Sequence, residues 1–246
     1  MNKKPKTFQI NKKDIEFFFY LHSLKVANTD QIKRDCYPET KKWMLYKRLQ
    51  FFQREGWVLG YIYSDVGQKK LYSLTRKGFL KFLPSSEVKR NELKSDSVQH
   101  DLGLVDIRHA MMKLNRVSSY HAENILQTWP ITSLGEKYEP FVRCNSDAVV
   151  EVSVNGKSFL FALEYELSLK NELRYRDIVA KYYMESNIPM VLYVVEDSHD
   201  LDKIQSIERE ADKNKKAKFF YTTFKQLVQE SKPTFTNWNK EVMTLG

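Results

Sequence analysis

Cysteine, glycine and proline are all scarce in this chain. Two cysteines, Cys36 and Cys144, stand in 246 residues. They are too few and too far apart for a disulfide framework or a thiolate zinc pattern. Eight glycines and seven prolines leave no collagen-like or low-complexity class open. No Gly-rich phosphate loop, nucleophile elbow or CxxC pair occurs. No run of about 18 apolar residues exists, so no membrane span is expected. The basic start MNKKPKTFQINKKD lacks the apolar stretch of a secretory signal. The expected compartment is a reducing cytoplasm.

What the chain has in excess is positive charge in one place. Residues 1–90 hold 15 Lys and 5 Arg against 4 Asp and 4 Glu, a net +12, while the remainder carries −3. This asymmetry predicts a nucleic-acid-binding N-terminal domain joined to a near-neutral partner domain; a basic, solvated surface is the plainer reading. Lys3, Lys4, Lys6, Lys12 and Lys13 form a basic leader suited to a phosphate backbone or to solubility alone.

Within that third, residues 40–78 carry the pattern. After helices expected at 11–25 and 29–37, Leu45, Leu49 and Phe52 recur at helical spacing. Trp43, Tyr46, Lys47, Gln50 and Arg54 fall on the opposite side. Thr40 is the expected N-cap and Gly56 the left-handed residue past the C-terminus. Two strand-like runs, 57–64 and 70–74, follow around Asp65-Val66-Gly67-Gln68, and Thr75 caps a further helix. Helix, turn, helix, hairpin is the order of a winged helix-turn-helix, whose second helix of the pair enters the major groove. The expected DNA-binding residues are Thr40, Lys41, Lys42, Trp43, Tyr46, Lys47, Gln50, Lys69 and Lys70. The lysines suit phosphate or guanine, Gln50 adenine, and Trp43 and Tyr46 a thymine methyl. Trp43 has a second reading, packing against helix 2 or the wing.

Residues 84–96 are Pro/Ser- and charge-rich, which predicts a linker between a domain at 1–86 and a second at 97–230, with a patternless tail at 231–246. In the second domain a helix is expected at 97–116, with Leu102, Val105, His109, Met112 and Leu114 on its buried side. Strands are expected at 124–131, 143–154 and 157–167, a helix at 170–187, and a central parallel strand at 190–195. A helix at 201–214, a strand at 218–222 and a helix at 223–230 complete an α/β domain with a mixed sheet. A two-residue Asn155-Gly156 turn pairs Val154 with Lys157. It sets Ala148, Val150 and Val152 against Leu163, Phe161 and Phe159 as a core face. The same register places Asp147 opposite Glu164, Asn145 opposite Glu166 and Glu151 opposite Leu160. Three carboxylates, Asp147, Glu164 and Glu166, then gather at one end of the hairpin. Like charges placed opposite each other need an offset: a Mg²⁺ ion able to activate water for phosphodiester cleavage, or lysine and arginine partners such as Lys170, Arg174, Arg176 and Lys181.

These features, in this order, resemble the replication-relaxation family of bacterial plasmids and mobile elements. The matching stretches are Tyr72-Ser73-Leu74-Thr75-Arg76-Lys77-Gly78, His100-Asp101, Ser146-Asp147-Ala148, Leu163-Glu164-Tyr165-Glu166 and Lys181-Tyr182-Tyr183. The resemblance implies a winged helix joined to a PD-(D/E)xK nuclease-like domain. It makes Asp147 and Glu164 metal ligands, with Lys170 or Lys181 as the catalytic cation if the domain is active. The nuclease pattern needs a lysine where this chain has Glu166, and it has proline where Ser146 stands. A carboxylate cannot stabilise charge on a scissile phosphate. The implied protein is therefore a homodimeric, double-stranded-DNA-binding regulator of transcription or replication, with a catalytically inactive second domain and no cofactor; Mg²⁺ enters only with the nuclease alternative. His100 suits a helix-start or core role, with direct chemistry as the sharper reading. His22, His109, His121 and His199 show no ligand spacing.

Overall fold

The computed structural model describes residues 9–64, 67–83, 95, 97–168, 171–212 and 216–246. The chain divides into two compact units, 1–102 and 103–246. The expected linker lies almost wholly outside the described residues, as do Lys170, Lys3, Lys4, Lys6 and the Asp65-Val66 part of the hairpin turn.

In the first unit α1 (Lys12–Leu24) opens with a capping box in which Asn11 and Asp14 satisfy each other's backbone N–H. A two-residue strand β1 (Ala27–Asn28) leads into α2 (Thr29–Asp35), which Asn28 caps through a second such box. Then come α3 (Lys42–Arg54), β2 (Val58–Ile62), β3 (Lys70–Leu74) and α4 (Arg76–Phe82). The three strands form an antiparallel sheet in the order β1-β3-β2. Two caps differ in outcome. Gly56, at φ +72, closes α3 with Trp57 N–H on the Phe52 carbonyl and its own N–H on that of Gln53, the Schellman arrangement. Thr40 does not cap α3: the helix starts one residue later than its hydroxyl requires, and Lys41 holds the N-cap position without a side-chain bond. Thr75 does cap α4, accepting from Gly78 N–H, and its hydroxyl donates to the Gly56 carbonyl at 2.6 Å. Gly78 is needed there because a Cβ would collide with the Trp57 carbonyl.

The core of this unit is aromatic. Phe18 stacks on Phe82 with ring centroids 4.5 Å apart, Phe52 meets Phe18 at 5.0 Å, and Trp57 meets Phe82 edge-on at 4.8 Å. Leu45, Leu49 and Phe52 are fully buried, so the apolar face of α3 is the one its spacing predicts.

The second unit completes α5 (Val98–Met111), whose first five residues belong to the first unit. It continues with β4 (Val117–Ala122), α6 (Glu123–Thr128), α7 (Ile131–Leu134), a 3-10 turn at Glu136–Tyr138 and α8 (Glu139–Cys144). The remainder is β5 (Ala148–Val154), β6 (Lys157–Glu166), α9 (Glu172–Met184), β7 (Val191–Val195), α10 (His199–Ala211), β8 (Phe219–Thr223), α11 (Phe224–Gln229), β9 (Thr234–Thr236) and β10 (Val242–Thr244). The seven-stranded sheet runs β10-β9-β8-β7-β6-β5-β4. β6, β7 and β8 are parallel and the other pairings antiparallel, a mixed α/β architecture. Both faces are covered. Leu104, Ile107, Met111 and Leu227 pack on Ala148, Val150, Leu163 and Val194. Tyr175, Val179, Ile204 and Ile207 pack on Val149, Ala162, Val191 and Tyr193.

Several expectations are corrected. α5 ends at Met111, so Met112 is exposed; Val105 and Leu114 are buried as expected, and Leu104, Ile107 and Met111 join them in place of the half-buried Leu102 and His109. The strand expected at 124–131 is mostly helical: the edge strand is Val117–Ala122, its partner β5 begins opposite Ala122 at Ala148, and Glu123 turns away with its N–H on the Asp147 carbonyl. The strand expected at 143–154 starts only at Ala148, and Arg143 and Cys144 end a helix over 139–144. Pro140 sits in the first turn, where its missing N–H costs nothing, and Asn145 at φ 55 ends the helix. Residues 231–246 are not a patternless tail: β9 and β10 pair and extend the sheet. The 155–156 turn has both residues at positive φ and the predicted register holds from Ala148↔Leu163 to Val154↔Lys157. Among the described residues no helix is long and apolar enough to cross a membrane.

His22 lies in the aromatic core, 1 % exposed, against Phe79. Burial lowers its pKa from 6.5 to about 4. The folded unit therefore holds fewer protons here than the unfolded chain below pH 6.5. Stability from this group is complete above that value and lost as pH falls through about 4. Between pH 7 and pH 4 the loss should reach roughly 2–3 kcal/mol. It is read as the change in urea midpoint between the protein and its His22→Phe variant at the two pH values.

Candidate nucleic-acid interface and carboxylate cluster

The surface of α3 is built from below by one carboxylate. Asp14, fully buried on α1, accepts from Asn11 N–H at 2.8 Å and from the Tyr37 hydroxyl at 2.8 Å. It also receives Arg48 of α3 through Nε and Nη2. The Arg48 side chain is itself mostly buried. A bidentate guanidinium fixes orientation as well as distance. It thereby sets which residues of α3 face outward. Burial, then Asp14, holds the Tyr37 phenol far above its ordinary pKa, so it stays a donor.

The outward set is Lys41, Lys42, Trp43, Met44, Tyr46, Lys47 and Gln50, all exposed. Trp43 is 56 % exposed, with the Lys47 ammonium 4.8 Å from its ring centroid. It does not pack into the core. Lys42 lies 3.4 Å from Asp30; both are exposed, so this pair leaves the lysine accessible. Lys69 and Lys70 are exposed on the hairpin. Lys70 Nζ donates to Gln53 Oε1 at 3.1 Å, which joins the hairpin to the last turns of α3. Thr40 is half-buried and its N–H donates to the Tyr37 carbonyl. Gln53 and Met44 were not singled out by the sequence, whereas Lys13 belongs to the expected basic leader. Gln53 could have been, since it follows Leu49 and Gln50 on the same turn. Met44 carries no local signal and comes beside Lys13 through the packing of α1 on α3.

The carboxylates of the second unit are drawn together, but not as opposed pairs. The ladder starts at Ala148, one residue past Asp147. Asp147 Oδ2 instead accepts Tyr165 N–H at 2.8 Å. Asn145 is not opposite Glu166, because it ends α8; its Oδ1 accepts from Gln127 at 3.2 Å. Glu164 accepts from the Tyr182 hydroxyl, which lies 2.6 Å from Ser146 Oγ. Glu166 is buried. Tyr193, paired with Glu164 across β6 and β7, has its phenol held well above the ordinary range by burial first, then by Glu164, Glu166, Tyr175 and Asp147. Asp147 thus has a backbone donor and Glu164 a phenol donor. Lys181 donates to the Cys144 carbonyl at 2.9 Å. Arg176 pairs with Glu172 and Glu210. Among the described residues no group of three or more His, Cys, Asp or Glu is placed to hold a metal ion. His100 Nδ1 sits 3.4 Å from Asp101 Oδ1 in the first turn of α5.

A polar crevice opens past the carboxyl ends of β7 and β8, where open α/β sheets commonly place ligands. Several of its side chains are engaged within the unit. Glu196 accepts from the Tyr165 hydroxyl, Asp197 from His199 N–H, and Thr223 with Gln226 forms a capping box.

Set against protein-family models, curated proteins and solved structures, the chain finds no match, so function is argued from its own geometry.

Asp14→Asn leaves Arg48 facing an uncharged partner in a buried site. The cost should be about 3 kcal/mol or more, read as a lower urea midpoint. The double variant Asp14→Asn/Arg48→Met, which leaves no unpaired charge, should recover part of the loss.

Proposed function

We propose that this chain is a sequence-specific double-stranded-DNA-binding protein, a winged helix-turn-helix regulator of transcription or replication on a plasmid or mobile element. The observation that carries this reading is the outward face of α3 continuous with the hairpin. Lys41, Lys42, Lys47, Lys69 and Lys70 supply cations along one helix and its neighbouring strand, and Tyr46 and Gln50 stand exposed among them. A helix in the major groove needs this division: cations for phosphate, and a few polar or apolar groups for base edges. In this reading α2 crosses the backbone and α3 enters the groove. The +12 charge of residues 1–90 supplies the long-range attraction.

The second unit is read as a PD-(D/E)xK-like domain without catalysis, serving dimerisation or partner contact. Glu166 stands where a nuclease of that kind needs a lysine. Lys181 is bonded to a backbone carbonyl, and Glu164 accepts from a phenol. Each of these weighs against the metal-dependent nuclease alternative.

Mobility-shift titration on palindromic duplex DNA tests the reading. Each phosphate-bound lysine contributes roughly one to the slope of log affinity against log salt. Lys42→Ala/Lys47→Ala/Lys70→Ala should therefore weaken binding and flatten that slope by about three. An unchanged affinity and slope would refute the assignment of this face.

A further inference from the structure

Beside the first turns of α3 lies a cleft of about 590 Å³, between the start of α1 and the turn that enters α3. That is within the range of clefts that enclose a small ligand, roughly 300–1,000 Å³. Tyr37 forms a buried wall, and Trp43 and Met44 are apolar, exposed and part of its lining. Lys13 and Lys47 also line the cleft, and the Lys47 ammonium lies 4.8 Å from the Trp43 ring centroid. Arg48 also borders it but is committed to Asp14.

An exposed tryptophan and methionine side by side cost solvation, and nothing in the aromatic core needs either of them. A helix reading a major groove touches the edges of stacked bases and leaves such a cleft unfilled. The ligand that matches the lining has a flat, apolar, π-bearing body and an anionic group. A nucleotide has both, and its base is free to enter a cleft only when unpaired. The two lysines, set in the most basic part of the chain, give the charge complementarity for a polyanion.

We propose that this cleft takes one unpaired nucleotide, its base stacked on Trp43 and its phosphate held by Lys13 and Lys47. Building on the DNA-binding reading above, the protein then prefers DNA in which a single-stranded stretch adjoins the duplex carried by α3. Aromatic stacking gives affinity that tolerates any base, so the preference is for the junction and not for its sequence.

The test uses the full chain and two labelled DNAs: a blunt duplex of roughly 20 base pairs, about two helical turns, and the same duplex with an unpaired thymidine tail of about five nucleotides. Fluorescence anisotropy gives the affinity ratio, and intrinsic tryptophan emission reports stacking. The tailed DNA should bind about tenfold more tightly and quench emission that the Trp43→Phe protein lacks. Trp43→Phe should keep most of the preference, since phenylalanine still stacks, and Trp43→Ala should bring the ratio to about one. Equal affinity of the native protein for the two DNAs, or a full preference in Trp43→Ala, would overturn the cleft assignment while DNA binding stands. Binding to neither DNA would remove both.

Discussion

The interaction on which the first unit depends is the one between Asp14 and Arg48. A carboxylate with no exposure accepts from a guanidinium, a phenol and a backbone amide at once. Each donor comes from a different place: α3, the end of α2 and the start of α1. Buried charge is tolerated only when paired and fully bonded, and here that requirement positions three elements at once. Asp14 is also half of the capping box of α1. Helix initiation, helix packing and the outward face of α3 therefore share one side chain.

The second unit meets a similar demand by other means. Asp147, Glu164 and Glu166 lie near one end of a hairpin, where repulsion would be severe without donors. Tyrosine hydroxyls and backbone amides supply them. Tyr175, Tyr182 and Tyr193 are nearly inaccessible and line the same side of the sheet. A phenol stays protonated in such surroundings, as Tyr182 and Tyr193 do, and can stabilise a carboxylate without adding charge. Glu208 repeats the device on α10. Fully buried, it accepts from Tyr183, from Tyr221 and from the amides of Lys218 and Phe219. The polar interior of this unit is thus organised around tyrosine–carboxylate bonds.

Local chemistry was readable where it obeyed a strong rule. Asn155-Gly156 set the register of β5 and β6, the Leu45-Leu49-Phe52 spacing gave the buried face of α3, and the apolar run before Glu196 marked the central strand. Legibility failed where neighbours in space decide. Residues 117–134 switch from strand to helix at Ala122 because the partner strand β5 begins opposite it at Ala148, and no residue there announces it. Pro140 was a usable helix-start signal, and the strand expected from Arg143 ran over the end of the helix it opens. β9 and β10 are three residues each, too short for any alternation to show. At the candidate interface the outward lysines were legible from helical phase alone. Met44 was not, because it comes beside Lys13 across two helices that the Asp14–Arg48 pair and the Phe18–Phe52 contact bring together.

Two regions with opposite electrostatics follow: a basic, partly aromatic face on α3 and its hairpin, and carboxylates of which Asp147 and Glu164 accept from donors of their own protein. The central claim is that nucleic acid meets the first and not the second. Hydroxyl-radical footprinting of the full chain, with and without duplex DNA, tests it directly, because reactive side chains stand exposed on α3 and on α9, the helix whose Tyr182 bonds Glu164. Trp43, Met44 and Tyr46 report on α3, and Met184, 86 % exposed at the end of α9, reports on the helix packed beside the carboxylates. The account predicts protection of Trp43, Met44 and Tyr46 with Met184 unchanged. Protection of Met184 with the α3 side chains still fully reactive would contradict it.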